Sequence, residues 1–353
     1  MKISGLLFFT LLFIYSIVPV YSTDISEGRI KLSIDENQGT YTPYYLDDIN
    51  TGKYIPLLFE KDPETTILSI IVDNKIYKMG NTSIFSNEFF TTPGGGKIVW
   101  TSTVLKVTED FSFLKSKKSS LSDGFKIKVT IENISDNTNY IGIAYLFDTY
   151  LGEDQNSHFL LDTGAQVTSE DSYSRNFPAY WVSSSKDTTV SGLQGMVRGP
   201  GITVPSKIIF ANWKRLKDNL WNYTVKKSRN FNLLPYSIND SAIALIYDPI
   251  RIESNSKRTV VIVMGGFSNS SFSASESIED SGIGTLFDKT LNTEQDPQNT
   301  ETSVRTDLIA ITDLIKKIDN FLEDPENVTE GEINLIKQIL ETLKQRKTLY
   351  ENR

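Results

Sequence analysis

Hydrophobic and polar residues alternate one by one along several short stretches in the first three quarters of the chain. Phe125, Ile127, Val129 and Ile131 fall on one face of an extended backbone, and the polar residues between them fall on the other. This period of two predicts a strand with one buried and one solvated face, as antiparallel sheets allow. Other strand-like runs, rich in Ile, Val, Thr, Tyr and Phe and separated by turn-forming residues, occupy 66–72, 97–108, 140–147, 207–211, 241–247 and 258–264, the last of which is more continuously apolar and is expected to be a central strand. The pattern predicts a mainly β chain with a large antiparallel β-sandwich over residues 23–266.

The period of the apolar positions changes near residue 303. Apolar residues then recur every three or four positions, which predicts an amphipathic helix; they are Val304, Leu308, Ile311, Ile315, Ile318 and Leu322. Pro325 ends this helix, and Thr329 with Glu332 has the form of a capping box that starts a second one. The second apolar stripe consists of Ile333, Ile336, Ile339, Leu340 and Leu343. We therefore expect a helical hairpin over 303–353, preceded by a polar linker or long loop over 267–302.

The first residues have the order of a secretory signal peptide. Lys2 supplies a positive charge, an apolar run follows from Leu6 to Val18, and Pro19 to Ser22 would form a cleavage region. The apolar run is too short for a membrane span, and no later run approaches the roughly 20 apolar residues that a span needs. The sequence thus predicts a signal peptide over residues 1–22, a periplasmic or extracellular location and no transmembrane anchor.

Composition narrows the chemistry that the chain can perform. The chain has no cysteine, which excludes disulfides, thiolate nucleophiles and thiolate ligands for zinc, and an exported chain of this size without disulfides fits a bacterial envelope. The formal net charge of −8 argues against nucleic acid as a partner. His158 is the only histidine, so a site with several histidines is excluded. This scarcity of nucleophiles and bases favours a non-enzymatic protein.

The densest group of polar residues follows the strand predicted over 140–147. It contains Asp148, Glu153, Asp154, His158 and Asp162 within a short stretch. The four carboxylates are candidate ligands for calcium, the one cofactor that the sequence suggests, although their spacing is not that of an EF-hand. Paired carboxylates are also the acid and base of sugar chemistry, which makes Asp148, Glu153, Asp154 and His158 candidate ligand-binding residues. The alternative is a surface loop whose acidic side chains cap turns, with His158 in a structural, half-buried site.

Tryptophans and glycine-rich turns supply the remaining candidates. Trp181 and Trp213 are candidate ligand-binding residues because aromatic faces on a β-sandwich stack on sugar rings, but tryptophans are equally common in sandwich cores. The turns 93–96 and 198–201 are rich in glycine and neither opens a helix, which excludes a phosphate-binding loop. We interpret them as tight connections or as the rims of a pocket.

Four segments together carry a resemblance to known proteins: 146–153, 205–213, 240–245 and the paired C-terminal helices. From Gly28 to its end the chain resembles a group of exported bacterial β-sandwich proteins with a C-terminal helical hairpin, some of them from bacteria with periplasmic flagella. That resemblance implies no activity. The stretch from Gly124 to Asn133 that leads into the Asp148 strand is similar to the galactose-mutarotase-like proteins, which implies a supersandwich. Those proteins use active-site histidines, and this chain has only one.

These observations predict an exported binding or assembly protein of the cell envelope that is not an enzyme. Two helices bury too little apolar surface to be stable alone, so the hairpin must pack on the β domain, on a second copy or on another protein. The resemblance to exported bacterial proteins implies an envelope or appendage protein, such as one of a flagellar sheath, as the partner; the other expected partner is a second copy bound through the hairpin. The alternative is a carbohydrate-binding or carbohydrate-processing protein that uses the loop from Asp148 to Asp162.

Overall fold

The computed structural model describes residues 22–80, 83–116, 119, 121–186, 191–267, 300–323 and 330–351. Its helices are α1 (Trp213–Asn219), α2 (Thr300–Glu323) and α3 (Glu330–Glu351), with short 3-10 turns at Pro63–Thr65 and Leu220–Asn222. Its strands are β1 (Ser22–Glu27), β2 (Ile30–Asp35), β3 (Thr40–Asp48), β4 (Lys53–Pro56), β5 (Ile67–Val72), β6 (Lys75–Lys78), β7 (Ser86–Thr92), β8 (Gly95–Thr101), β9 (Leu105–Leu114), β10 (Gly124–Asn133), β11 (Asn139–Thr149), β12 (Phe159–Leu161), β13 (Gln166–Val167), β14 (Asp171–Tyr173), β15 (Tyr180–Ser183), β16 (Gly192–Met196), β17 (Lys207–Asn212), β18 (Ser241–Ile252) and β19 (Lys257–Phe267).

The described strands form three sheets in which every pair is antiparallel. One sheet has the order β1-β2-β3-β4, the largest has the order β13-β12-β15-β16-β19-β10-β9-β8-β7, and the third has the order β14-β17-β18-β11-β5-β6. The prediction of a mainly β chain built from antiparallel sheets is confirmed.

The main hydrophobic core lies between the two larger sheets and explains the alternation in the sequence. In β10, Phe125, Ile127, Val129 and Ile131 are all buried in this core. The strand β11 is buried on both faces, because Tyr145 and its alternate neighbours enter the main core while the residues between them enter a second cluster under α1. A strand that is covered on both sides reads as a continuous apolar run rather than an alternation.

The single strand predicted over 97–108 is wrong in one respect, because a turn divides it. The strand β8 ends at Thr101, and β9 begins at Leu105. Between them the Ser102 hydroxyl accepts hydrogen bonds from the backbone N–H groups of Val104 (3.2 Å) and Leu105 (3.0 Å). Serine side chains offer the backbone this alternative to a sheet ladder, and here it turns the chain back on itself.

The two C-terminal helices pack on each other and on the β domain. Leu314 of α2 and Ile339 and Leu343 of α3 form the centre of a small cluster between the helices. The helix α2 contacts the β1–β2 turn, where the backbone N–H of Gly28 donates to Asp313 Oδ2 at 3.0 Å and Lys316 Nζ donates to the Ser26 carbonyl at 2.9 Å. Of the three surfaces on which the hairpin was expected to pack, the β domain is therefore in contact with it.

Several predicted features lie outside the described residues. These are nearly all of the signal peptide, most of the polar linker, and the segment that contains Pro325 and Thr329 between the two helices. Among the helices that the structure describes, none combines the length and the apolar character that a membrane crossing requires.

Candidate functional site

The antiparallel pairing of β11 with β18 brings three carboxyl groups together at one end of their sheet. Asp148, near the end of β11, lies opposite Ala242 near the start of β18. Glu153 follows in the next loop, and its Oε1 accepts the backbone N–H of Ser241 at 3.1 Å. Asp240 immediately precedes the same strand. Asp148, Glu153 and Asp240 are named here the strand-end carboxyls.

Burial raises the pKa of each strand-end carboxyl. It raises the pKa of Asp148 to about 7, although a hydrogen bond with Thr65 opposes the shift. It raises the pKa of Glu153 to about 8, with further contributions from the charges of Asp240 and Asp148. The pKa of Asp240 is also raised by burial, against hydrogen bonds with Ser237 and Asn212. These carboxyls bond to groups of the fold itself and line none of the cavities described below, so we interpret them as structural.

His158 lies in the aromatic core rather than in a site. Its side chain is 4% exposed, and its ring centroid lies 4.3 Å from that of Phe231. Burial lowers the pKa of His158 to about 4, so the imidazole is neutral at pH 7. Its Nδ1 has no hydrogen-bond partner among the described residues. A neutral ring packed between aromatic side chains fits the structural interpretation of this residue.

The two candidate tryptophans and Asp154 have separate structural surroundings. Trp181 is 1% exposed in the main core, so it has no ring face available to a ligand. Trp213 is half-buried at the start of α1, where its Nε1 donates to the Thr65 carbonyl at 2.8 Å and Lys217 Nζ lies 4.6 Å from a ring centroid. Asp154 is exposed and accepts a hydrogen bond from the Ser185 hydroxyl at 2.8 Å.

The structure does not gather the proposed calcium ligands into one group. Asp148 and Glu153 belong to the strand-end carboxyls, whereas Asp154 bonds to Ser185 and Asp162 lies beyond β12. Within the described ranges, no group of three or more Asp, Glu or His side chains is arranged to hold a metal ion. Asp154 instead joins its loop to the segment after β15, since it accepts hydrogen bonds from the Ser185 hydroxyl and from the backbone N–H of Lys186.

One member of this loop, Asp162, lines an open cleft with a volume of about 490 Å³. Asp162 follows β12, and its backbone N–H donates to the Tyr180 carbonyl at 3.2 Å, which fixes it beside β15. Its Oδ1 is buried and has no hydrogen-bond partner among the described residues. The cleft, named here the Asp162 cleft, is lined by Leu161, Asp162, Thr163, Tyr173, Asn176, Phe177, Pro178 and Arg198.

The Asp162 cleft combines aromatic rings with a small set of hydrogen-bonding groups. Tyr173 and Phe177 are partly buried and pack against the main core, which holds both rings in place. Asp162 supplies carboxylate acceptors, Arg198 is exposed and supplies guanidinium donors, and Asn176 supplies an amide. A volume within roughly 300–1,000 Å³, aromatic walls and a few convergent polar groups are typical of small-molecule sites.

Sequence reasoning identified Asp162 but missed the rest of this cleft. Arg198 opens one of the glycine-rich turns that were interpreted as rims of a pocket, and that was the available signal. Tyr173 and Phe177 carried no comparable signal. Tyr173 ends β14, which belongs to one sheet, and Phe177 lies in the connection to β15, which belongs to another. One sequence does not reveal which sheet each strand joins.

Two further cavities lie where the hairpin meets the β domain. One, of about 280 Å³, lies between β1, the β7–β8 turn and α2, and the other, of about 320 Å³, lies between the β1–β2 turn, the β3–β4 region and α2. Asp313 and Lys316 line both cavities. Since both side chains hydrogen-bond to the β1–β2 turn, they serve to hold the helix.

Comparison with known proteins gives likeness in structure but not in sequence. No family model matches the chain, and no curated protein matches it. A galactose mutarotase related enzyme from Lactobacillus acidophilus is 9% identical, with a TM-score of 0.45, over 72% of this chain and 99% of that chain. A GalM/aldose epimerase homologue from C. elegans is 11% identical, with a TM-score of 0.42, over 70% of this chain and 100% of that chain. A TPR-domain containing protein from Parabacteroides distasonis is 11% identical, with a TM-score of 0.43, over 93% of this chain and 65% of that chain.

Galactose-mutarotase-like proteins are therefore among the solved structures similar to this chain, as the resemblance in the sequence suggested. TM-scores below 0.5 carry no argument about the ligand or activity of this chain.

Proposed function

We propose that this protein is an exported, non-enzymatic binding protein that holds a saccharide in the Asp162 cleft. The observation that carries the proposal is the buried, unpartnered Oδ1 of Asp162 in a cleft with Arg198 and two aromatic rings. An acceptor without a donor is unfavourable, and a ligand hydroxyl that reached the Asp162 carboxylate would supply the missing donor. Sugar hydroxyls are such donors, and the apolar face of a sugar ring packs on aromatic side chains.

The composition of the cleft favours binding over catalysis. Glycoside hydrolysis ordinarily uses two carboxyl groups on either side of the scissile bond. Among the side chains that line the cleft, Asp162 is the one carboxylate. His158 is neutral and packed on Phe231, outside the cleft lining, so it does not serve there as a base. These features support recognition of a sugar without bond cleavage.

A glycan array tests this proposal directly. We expect the wild-type protein to bind at least one class of glycan, and both Asp162→Asn and Arg198→Ala to weaken that binding by about tenfold or more. Asp154→Asn is the matched control, because Asp154 belongs to the same loop but does not line the cleft. No glycan binding by the wild type at millimolar concentration, or equal binding by the Asp162 variant, would contradict the proposal.

A second function, assembly with another protein through the hairpin, is favoured by a separate observation. The two helices carry large apolar side chains that remain exposed although the hairpin packs on the β domain, among them Leu308, Ile315 and Leu340. Exposed apolar stripes on helices are typical of helix-in-groove and coiled-coil interfaces. We propose that this surface binds a protein partner in the cell envelope, and that the signal peptide over residues 1–22 directs the chain there.

Co-purification tests the assembly function. Protein recovered from the envelope fraction should retain its partner, and Leu308→Ser together with Ile315→Ser should release it. Recovery of the same partner with the double variant would show that the hairpin is not the interface.

A further inference from the structure

We propose that the exposed face of the hairpin binds a second copy of this chain and forms a four-helix bundle with twofold symmetry. The inference rests on the proposed assembly function and names its partner. The face, named here the hairpin face, consists of large apolar side chains that are 43–73% exposed: Leu308, Ile315 and Leu322 of α2, and Ile333 and Leu340 of α3.

The exposed residues follow a heptad repeat on both helices. Leu308, Ile315 and Leu322 are seven positions apart on α2, and Ile333 and Leu340 are seven positions apart on α3. A repeat of seven places side chains along one nearly straight stripe of a helix, which is the arrangement that packs against another helix. Surface residues that merely tolerate exposure would not be expected to keep this spacing on two helices.

The two stripes lie on the same side of the hairpin. Asp307 near the start of α2 accepts a hydrogen bond from Arg346 near the end of α3, at 2.8 Å, so the helices run antiparallel. Ile311 and Ile318 of α2 and Ile336 of α3 belong to the seam between the helices. Each exposed residue lies four positions after, or three positions before, such a seam residue. In an antiparallel pair these positions flank the same edge of the seam, so the two stripes make one continuous surface.

The opposite edge of the seam faces the β domain. Ser303, Ala310 and Lys317 also repeat every seven residues on α2, one position before the seam residues, and all three are buried. Lys317 Nζ lies 3.9 Å from Glu27 Oε2, and its neighbour Lys316 donates to Ser26. The edge that holds the β domain is thus rich in polar residues, while the other edge is apolar. Its first residue, Leu308, also lines the cavity between α2 and the β3–β4 region. The rest of the hairpin face is accessible in a single copy.

Charge at the rim of the hairpin face favours a second copy as the occupant. Asp319 lies between the apolar stripe of α2 and the cavity beside β1. Lys337 borders the stripe on α3, and both side chains are exposed. Asp319 lies twelve residues beyond Asp307, and Lys337 lies nine residues before Arg346. The two residues are therefore offset by about 4.5 Å along the hairpin, a distance that a lysine side chain spans. A twofold axis along the bundle places α2 of one copy beside α3 of the other. Asp319 of each copy then meets Lys337 of the other copy.

This twofold arrangement also buries the apolar stripes of both copies against each other. A twofold interface uses the same patch on both copies, so the patch must be complementary to itself. Two hairpins with apolar ridges on their facing edges form the up-down-up-down bundle in which every neighbouring pair of helices is antiparallel. The two ridges of one copy then pack on the two ridges of the other and remove both from water.

Sedimentation of the full mature chain tests the proposal. We expect a dimer at micromolar concentration, and a folded monomer, with unchanged circular dichroism, for Ile315→Asp combined with Leu340→Asp. Leu349→Ser is the matched control: Leu349 is also exposed on α3 but lies off the hairpin face, so this variant should stay dimeric. A monomeric wild type, or a dimer that survives the double variant, would overturn the inference.

Charge reversal at the rim provides the second arm of the experiment. Asp319→Lys alone and Lys337→Asp alone should each weaken the dimer several-fold, because each places like charges opposite one another. The two substitutions together should restore it, an outcome that misfolding cannot produce. A double variant as weak as the single ones would refute the proposed pairing. If the wild type is a monomer that still binds an envelope protein through Leu308 and Ile315, the assembly function stands and the second copy is excluded as its partner.

Discussion

At the scale of single residues, the strand-end carboxyls give the fold a predictable response to pH. The pKa values of about 7 for Asp148 and about 8 for Glu153 lie above those of the same groups in an unfolded chain. The folded state therefore binds more protons than the unfolded state between about pH 4 and pH 8. The stabilisation that Asp148 and Glu153 contribute is complete below about pH 4, where both carboxyls are protonated in the folded and the unfolded chain. It is lost as the pH rises through their folded pKa values of about 7 and about 8.

We expect Asp148→Asn to remove part of this dependence, since asparagine stays neutral in the same buried position. Relative to the wild type, the variant should lose less free energy of unfolding between pH 5 and pH 8, by at most ~1.4 kcal/mol per pH unit. Urea denaturation at several pH values measures the two slopes. Asp154→Asn, a change at an exposed carboxylate of the same loop, should leave the slope unchanged. Equal slopes for Asp148→Asn and the wild type would contradict this account.

The identities of the residues predicted which chemistry the chain cannot perform, but they did not predict where the candidate site lies. A single histidine and the absence of cysteine exclude whole classes of mechanism wherever the residues lie in the fold. The burial of Trp181 and the exposure of Arg198 depend on sheets whose strands are far apart in sequence, so no local pattern indicates them. This is why Asp162 could be named from the sequence, whereas Tyr173 and Phe177 could not be placed beside it.

At the scale of elements, the alternation of apolar and polar residues located the strands well where one face of the strand is exposed to solvent. It located them less well where a side chain interrupts the backbone hydrogen bonds between strands. The strand β10 contains the whole alternating run from Phe125 to Ile131 and extends it by one residue at its start and two at its end. The turn at Ser102 was hidden because the apolar pattern continues on both sides of it. Serine competes for backbone hydrogen bonds only in some contexts, and the surrounding fold decides which.

A buried ionic cluster joins three elements and is expected to contribute strongly to their stability. Glu170 lies just before β14, and its carboxylate accepts hydrogen bonds from Arg215 of α1, from Arg229 and from the Tyr223 hydroxyl. The Glu170 side chain has no exposed surface. Its negative charge therefore compensates two guanidinium groups whose side chains are only 15% and 29% exposed, where water screens the charges poorly.

Glu170→Gln should lower the free energy of unfolding by about 3–5 kcal/mol, because it leaves the two arginines without their counter-charge. The exposed pair of Glu253 and Arg251, with 3.0 Å between Oε1 and Nη2, supplies the control. Glu253→Gln should change stability by less than about 1 kcal/mol, since water screens that pair. Chemical denaturation of both variants measures the difference, and losses of similar size would refute the importance of burial.

At the scale of the whole molecule, the sequence predicted a β domain and a helical hairpin but left three surfaces open for the hairpin to pack on. The contacts that decide between them pair residues about three hundred positions apart, such as Gly28 with Asp313. They are mainly polar, and polar contacts leave no periodic signal in a sequence. The apolar stripes do leave a periodic signal, but they lie partly in the seam between the helices and partly in the hairpin face.

The hairpin and the β domain should therefore differ in how much each depends on the other. The main hydrophobic core is built wholly from residues between Ile25 and Met264. The apolar contacts of α2 with the β domain are few, with Ile309 packing against a small cluster of Leu46, Ile49 and Leu121. Removing the helices thus costs the β domain a limited number of contacts and opens no cavity in its core.

A mature chain that ends at Phe267 should fold, unfold cooperatively and keep the Asp162 cleft, while losing self-association. Its melting temperature should fall by roughly 2–4 °C for each kcal/mol of lost contacts. Scanning calorimetry with tryptophan fluorescence measures the fold, and sedimentation measures association. Trp100 and Trp181 report on the fold of the β domain, because both are buried in the main core and lie far from the hairpin in sequence. Loss of the cooperative transition would show that the hairpin is part of the folding unit, and a truncated chain that still dimerised would move the self-interface to the β-sandwich.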